Sequence, residues 1–491
     1  MQHLPQCECV SVVAEFWMYF STAVSALDFR YNNSRLDKGG DLIYRGRKMQ
    51  STSLNARYVF PLQKRTFLLH PFLIFSSVWL GVALLYSLHL SKMLQYSTRQ
   101  VFTTIAYIWI PYAVIVALCT ILRYLLKPYY SRKRTRPVVN LALLETKLKI
   151  WFKVWVLISL VEIYVSGGMP IVWLFTGNTK TYVDFGISSL HGVVNALLTA
   201  IALCRFSLFL LTGKKRHLYV PIFALLWSIL AITRQLMLVS LIEFAFIFLQ
   251  MRPIRKTTFV KIAVGALAFV LAFGFIGDLR QGSSDGFRAL AQPSEDYPEW
   301  FPSGFLWAYI YISTPINNLM YTMEVVRPVD NFLFPNTAST LFPSMLRYAI
   351  YGEELGEAAS GQLVVSAFNV STAYVGPYQD FGLAGMALLS ILSACITLLF
   401  WFQNDLRSVL MFSVATQCLM LNLFYNQFFV LPMIMQIVWL FYFFPPKIRM
   451  SFGESHSSAR RQDAKLLTAP QLPLNPHGDA LLAEITTKKD V

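Results

Sequence analysis

Apolar runs of about 20 residues recur along this chain, the length an α-helix needs to cross ~30 Å of hydrocarbon. Such runs leave few folds open. In lipid a segment must satisfy its own backbone N–H and C=O groups, so each run is expected to form a helix. Composition agrees, with 55% of the 491 residues hydrophobic and a mean hydropathy of +0.49. The net charge of +16 would suit a nucleic acid, but the basic residues cluster between apolar runs, as Lys and Arg do on the cytoplasmic side of a membrane. The expected partner is the lipid bilayer, with no nucleic acid.

The densest basic cluster holds Lys127, Arg132, Lys133, Arg134 and Arg136. Placing it inside sets the parity of every other run. The expected fold class is an all-α polytopic membrane protein of about ten transmembrane helices, both ends inside. Residues 1–66 read as a cytoplasmic N-terminal extension and 67–277 as helices one to seven. Residues 278–383 form a large outer segment between helices seven and eight, 384–446 hold helices eight to ten, and 447–491 are a basic cytoplasmic tail. The apolar run 218–251 is too long for one helix and is divided at Arg234-Gln235. Within the outer segment, 305–326 is long enough to span, yet Pro315, Asn317 and Asn318 at its centre predict a re-entrant or interface-lying stretch.

The outer segment carries Arg280, Arg288, Arg327 and Arg347 and no lysine. A guanidinium is a planar fork that grips two phosphate oxygens at once, where an ammonium is a point charge. Arg234 falls at the same outer level as Arg280. The ordinary role of each is to snorkel to the interface; the alternative is an anion site. Tyr182-Val-Asp184-Phe-Gly186 and Tyr378-Gln-Asp380-Phe-Gly382 both come just before a returning helix. Asp184 and Asp380 each either cap that helix or serve as a general base, and both readings stand. His191 opens the fourth span as an interface residue or as a group titrating near neutrality. Arg205, inside that span, is expected to pair with a buried acid such as Glu162.

Cys7 and Cys9 lie near the N-terminus, and Cys119, Cys204, Cys395 and Cys418 in separate apolar runs, without zinc-ligand spacing. There is no Walker A loop, nucleophile elbow or His-Glu-x-x-His motif, nor an Asp-x-Asp pair for a metal-held nucleotide sugar. No metal and no cofactor are expected. If glycosyl transfer is the chemistry, the donor must carry its own leaving group, as a lipid pyrophosphate does, and fixed arginines would stabilise the departing charge.

Four blocks together resemble the bacterial oligosaccharide repeat-unit polymerases, the Wzy-type O-antigen polymerases. They are Glu162-Ile-Tyr-Val-Ser-Gly-Gly-Met-Pro170 with Tyr182-Val-Asp-Phe-Gly-Ile and Leu190-His-Gly192; Gly277-Asp-Leu-Arg280; Tyr309-Ile-Tyr311 through Pro315 to Asn318-Leu319; and Phe368-Asn-Val-Ser-Thr372 with Tyr378-Gln-Asp-Phe-Gly382. The likeness covers roughly Phe67 to Pro446. It implies a metal-independent inverting glycosyltransferase of GT-C type in the bacterial inner membrane, its site facing the periplasm. The donor would be a chain on undecaprenyl pyrophosphate, and the acceptor a lipid-linked repeat unit of a surface polysaccharide such as lipopolysaccharide O-antigen. The same resemblance puts Arg280 and Arg234 on the pyrophosphate, with Arg288 and Arg347 as further candidates. It makes Asp380, Asp184 or His191 the assisting base, and Trp307, Tyr311, Asn318 and Tyr374 the sugar contacts. A chain-length regulator and a flippase of the same pathway are the implied partners. A lipid-linked oligosaccharide flippase or an O-antigen ligase are the competing readings. Arg280→Lys keeps the charge but loses the fork, so it is expected to abolish most polymerisation in a polymerase-null host. Wild-type chain lengths from that variant would remove Arg280 from the pyrophosphate.

Overall fold

The computed structural model describes residues 57–59, 67–130, 138–188, 190–252, 284–295, 297–298, 300, 302–352, 361–365, 368–403 and 405–444, with scattered positions between 260 and 270. The expected seventh span, Arg280, most of the N-terminal extension and the tail lie outside the described residues.

The helices are α1 (Pro71–Ser87), α2 (Thr98–Tyr130), α3 (Leu141–Ser166), α4 (Pro170–Thr176), α5 (Leu190–Thr212), α6 (Tyr219–Leu230) and α7 (Arg234–Met251). They continue with α8 (Ser284–Ala291), α9 (Ser303–Val325), α10 (Pro335–Ala338), α11 (Ser344–Tyr351), α12 (Val375–Trp401), α13 (Leu406–Leu421) and α14 (Leu431–Phe443). A short ribbon pairs β1 (Arg57–Val59) with β2 (Val138–Asn140), antiparallel. Proline opens α1, α4, α10 and α14, where its missing N–H is one that a helix start leaves unbonded anyway.

Four helical stretches are long and apolar enough to cross a membrane: Thr98–Leu126, Leu141–Trp173, Leu190–Thr212 and Val375–Trp401. Pro71–Ser87, Gln235–Met251, Leu406–Leu421 and Leu431–Phe443 are apolar but shorter. By length and composition this is a helical membrane protein. Its lipid-facing surface is legible on α2, where Tyr107, Ile110, Val114, Leu118, Ile121 and Leu125 are exposed at spacings of three and four, one face of a helix. The central helix is α5. Its apolar window is 78% buried, against 28% for that of α2, and Ala196, Ala200 and Ala202 let neighbours approach closely. Helices α3, α6, α7 and α14 pack around α5, while α1, α2, α9 and α13 pack around α12. The two groups meet where α13 lies against α7 and α14.

Hydrogen bonds sort the connections into two ends. At one, the Ser91 Oγ donates to the Ala291 carbonyl at 2.7 Å and the Thr340 Oγ1 to the Phe429 carbonyl at 2.7 Å. Gly192 at the start of α5 lies against Pro432 at the start of α14, so close that a Cβ would come within 3.0 Å of the ring. The loops 88–97, 166–190 and 422–430 thus share an end with the segment between α8 and α12. At the other end Arg216 pairs with Glu145 at 2.8 Å, Arg252 donates to the Leu210 carbonyl at 2.7 Å and Arg407 to the Phe444 carbonyl at 3.3 Å. The basic connections gather here.

Two expectations change. Arg205 does not reach Glu162; its Nη1 lies 3.8 Å from Glu145 and 3.2 Å from His217 Nδ1. Arg205 is roughly 21 Å along α5 from His191, at ~1.5 Å per residue, and Glu162 is at the His191 level. Of the two readings of 305–326, the re-entrant one gives way: α9 is one helix that continues through Pro315. It buries Ser313, Thr314, Asn317, Asn318 and Thr322, so its polar centre is covered by protein. With the native reactive thiols replaced, cysteines introduced at Asn178 and Asp330 are expected to react with a membrane-impermeant maleimide from one side, and one at Lys215 only from the other. Labelling of all three from the same side would undo the two-ended arrangement.

Candidate functional site

The first loop at the non-basic end is organised by one buried acid. Glu162 lies on the last turns of α3 and is fully buried. Its Oε1 accepts from the Ile187 N–H at 3.3 Å, and its Oε2 is 3.3 Å from His191 Nδ1. One turn on, the Ser166 Oγ accepts from the Gly186 N–H at 2.8 Å. Gly186 has a φ of +94°, and a Cβ there would sit 2.5 Å from His191 Nδ1, so only glycine lets the loop close over the imidazole.

The far side of the ring is also held. Asn195, one turn further along α5, places its Nδ2 2.8 Å from His191 Nε2, and its Oδ1 accepts from Trp227 Nε1 at 3.3 Å. These contacts assign the protons. An indole N–H only donates, so Asn195 Oδ1 accepts, and its Nδ2 is therefore the donor to His191 Nε2. Nε2 is then the unprotonated nitrogen, and Nδ1–H points at Glu162. Phe185 meets the ring edge-on at 5.2 Å, and the imidazole side chain is 23% exposed. The arrangement is an acid, an oriented imidazole and an unprotonated nitrogen held by an amide.

Asp184 belongs to the same loop but not to this relay. Its exposed Oδ2 accepts from the Thr181 N–H at 2.8 Å and the Thr181 Oγ1 at 3.1 Å. These bonds, the backbone one foremost, hold its carboxyl below the usual value, which makes it a weaker base. It caps its own short turn, Tyr182–Asp184, and not α5.

Asp380 is fully buried on the first turns of α12. Its Oδ1 accepts from the Asn336 N–H at 3.1 Å and Asn336 Nδ2 at 2.8 Å; its Oδ2 accepts from the Thr337 N–H at 2.9 Å and Thr337 Oγ1 at 2.6 Å. It caps α10, a helix that starts 40 residues before the one carrying Asp380, by roughly the geometry a local N-cap residue uses. Asn318 is likewise engaged: Nδ2 donates to the Phe368 and Val370 carbonyls at 3.1 and 2.9 Å, and Oδ1 accepts from the Val364 N–H at 3.1 Å. Trp307 stacks on Phe287 at 3.5 Å, and Tyr374 is buried edge-on to Trp79 at 5.7 Å. Of the four expected sugar contacts, Tyr311 is the one left half-exposed, its ring 5.8 Å from Trp307.

The arginines divide by place. Arg234 is the first residue of α7, directly after the turn from α6; Arg280 lies outside the described residues. Arg288 ends α8 near Tyr297. Arg347 on α11 lies 5.5 Å from the centre of the Tyr348 ring, and its Nε is buried without a hydrogen-bond partner among the described residues. Sequence reasoning quoted Glu162 but did not pair it with His191, and passed over Asn195. The signal for Asn195 was its i+4 spacing from His191. Among the described residues no three His, Cys, Asp or Glu side chains gather to hold a metal ion. No known family model, curated protein or solved structure matches this chain.

Asp380→Ala would strand the α10 donors and is expected to cost roughly 3 kcal/mol. The checks are a lower thermal midpoint in detergent and new protease cleavage between residues 326 and 343, with Asp184→Ala close to wild type in both. An unchanged midpoint for Asp380→Ala would show that the segment is held by other contacts.

Proposed function

We propose that this protein polymerises undecaprenyl-pyrophosphate-linked repeat units by inverting glycosyl transfer at its non-basic end, the periplasmic face of a bacterial inner membrane. One observation carries the reading. Three short stretches of the resemblance, around Glu162, Gly186 and His191, lie apart in sequence and come together as one hydrogen-bonded relay at that end.

His191 takes the part of the base. An acceptor hydroxyl that replaces the Asn195 amide at Nε2 can give its proton there, and Glu162 behind Nδ1 stabilises the imidazolium that forms. The acceptor oxygen attacks the anomeric carbon from the face opposite the pyrophosphate. The glycosidic C–O bond forms as the bond to the pyrophosphate oxygen breaks, and the electron pair leaves with the lipid pyrophosphate. Arg280 and Arg234 by resemblance, with Arg288 and Arg347 nearby in the chain, would stabilise that charge. Asp380, with both oxygens already taken, and Asp184, a strengthened acid, serve as anchors in this scheme. The outer segment also exposes Trp300, Phe332, Leu333, Leu346 and Ile350, side chains suited to the membrane interface where a lipid-linked donor would enter. The finer architecture belongs to the same reading: about ten spans in a GT-C-like bundle, with α1, α2, α3, α5, α6, α7, α12, α13 and α14 as candidates for all but the seventh.

Purified protein given lipid-linked repeat units in the presence of a chelator is expected to produce a ladder of longer chains. His191→Asn, which retains a donor toward Glu162, should lower the rate by about 10²–10⁴-fold while binding of the lipid-linked substrate persists. Transfer to a lipid A core alone would make the chain a ligase, movement across the bilayer without bond formation a transporter, and no reaction at all would remove the proposal.

A further inference from the structure

Helix α7 carries a polar stripe through an otherwise apolar sequence. Ser240, Glu243 and Gln250 are spaced by three and seven residues, on one face, and are 1%, 0% and 3% exposed. This face packs against α13, where the Gln250 Nε2 donates to the Ser413 Oγ at 2.9 Å. Higher up, the Gln436 Nε2 of α14 donates to the Glu243 Oε2 at 3.0 Å. Cys418 of α13 lies within the field of Glu243, and its Sγ is 3.5 Å from Gln417 Oε1 and 3.7 Å from the Gln427 carbonyl. The turn between α13 and α14 adds Gln427, whose carbonyl meets Cys418, and Tyr425, whose hydroxyl lies beside Gln427; Asn422 and Asn426 are further polar residues of that turn.

Most of these groups are buried with hydrogen-bonding capacity to spare. Glu243 Oε1, Gln436 Oε1, Gln417 Nε2 and both side-chain polar atoms of Asn422, Asn426 and Gln427 have no partner among the described residues. Burying so many unpaired groups is costly, and more so in a membrane. Their polarity is partly fixed. Gln436 spends its amide on Glu243, so its oxygen is offered as an acceptor; Gln417 takes the Cys418 thiol on its oxygen, so its amide is offered as a donor. A bare cation calls for acceptors alone and a phosphate for donors alone. Here both are interleaved, as hydroxyl groups require, since each donates and accepts.

We infer that this cluster is a saccharide-binding site reached from the non-basic end, where Tyr425 and Asn426 are partly exposed. Glu243 lies about 14 Å along α7 from its first residue. Helix α14 relates the cluster to the relay: Gln436 touches Glu243, and Pro432, one turn (~5.4 Å) earlier on the same face, rests on Gly192 beside His191. The site is therefore placed for the acceptor sugar. That role rests on the glycosyl-transfer reading; the preference for a neutral, hydroxyl-rich ligand does not.

The probe is the lipid-free oligosaccharide released by mild acid from the host's own lipid-linked pool, added to the full chain in nanodiscs. Saturation-transfer NMR is expected to show saturable binding to wild type, at least tenfold weaker for Gln417→Met and Gln436→Leu, and no competition by inorganic phosphate or sodium ions. Gln417→Met fills the same space and removes only the weak thiol contact, so its thermal midpoint should not fall, whereas Gln436→Leu takes the donor from the buried Glu243 Oε2 and should lower it; Asn426→Ala, at the partly exposed mouth, gives a second, milder check. No saturable binding to wild type, or undiminished binding to all three variants, would overturn the inference and leave the cluster as hydrated packing. Binding that the variants lose, in a protein that forms no longer chains, would keep the saccharide site and sink the polymerase. Chain extension with an unchanged acceptor KM in Gln417→Met would do the reverse.

Discussion

Both carboxylate oxygens of Asp380 are taken by α10, and much of the outer architecture follows from that contact. A four-residue helix has no stability of its own, since nucleation is unfavourable; only Thr337 and Ala338 find a local acceptor, the Phe334 carbonyl, and its first turn wants further partners. Asp380 supplies those partners from another helix, and its negative charge lies at the positive end of the α10 dipole. The chain around Asp380 contributes as well. At Phe381 and Gly382 the backbone of α12 leaves helical geometry, which frees the carbonyls just before the break. Gln379 and Asp380 spend theirs on the N–H groups of Val329 and Asn331, at 3.1 and 3.0 Å. An irregular stretch that would otherwise have unpaired backbone is docked along the start of a membrane helix. Asn318 and Thr322 of α9 do the same for Gln362, Val364, Phe368 and Val370, the Thr322 Oγ1 accepting from the Gln362 N–H at 3.0 Å. Among the described residues of this segment, buried polar side chains reach across to its backbone at several points.

The pair α3 and α5 follows a related logic. An acid of α3 lies near each end of the pair: Glu162 with His191 at one, Glu145 with Arg205 and Arg216 at the other. The two acids are separated by roughly 25 Å of helix, close to the thickness of a hydrocarbon core, so each falls near an interface. Their environments differ. Glu145 faces two guanidiniums and is partly exposed, the setting of a structural ion pair. Glu162 is sealed beneath its own loop with a single titratable partner, whose second nitrogen meets the Asn195 amide. Only the latter arrangement can pass on the consequence of a proton gained at one atom to a charge held at another.

What could be seen in the sequence was decided by solvent. Apolar runs located the helices, and the break before Arg234 was visible because a helix of 34 residues would overshoot a bilayer. Polar partners were not visible. Asp380 was legible as a possible cap, but its helix, α10, lies 40-odd residues earlier, and nothing local to Asp380 points there. Arg205 was assigned the wrong acid because spacing along one helix says nothing of the direction of its neighbour. Asn318 looked like a break in a spanning segment and proved to be a clamp inside a continuous helix. Glu243 escaped notice for the opposite reason: one carboxylate in a long apolar window barely alters its hydropathy, and only the spacing of Ser240, Glu243 and Gln250 marks the stripe.

Helix α14 turns these separate features into one argument. It is short, opens with a proline, and runs between the central helix and the polar stripe of α7. A shift of α14 along its axis would move Gln436 away from Glu243 and Pro432 away from Gly192 together, because the two contacts sit on one face a turn apart. Close-packed interfaces of this kind resist gradual deformation. The geometry of the relay and that of the buried amides are therefore set by the same rigid element. A polar cluster buried at such cost, tied through α14 to the contact between Pro432 and Gly192, is hard to account for by packing, which apolar residues of equal size would serve better. Under the proposed glycosyl transfer, a ligand whose hydroxyl groups are held still while one of them loses a proton would account for it.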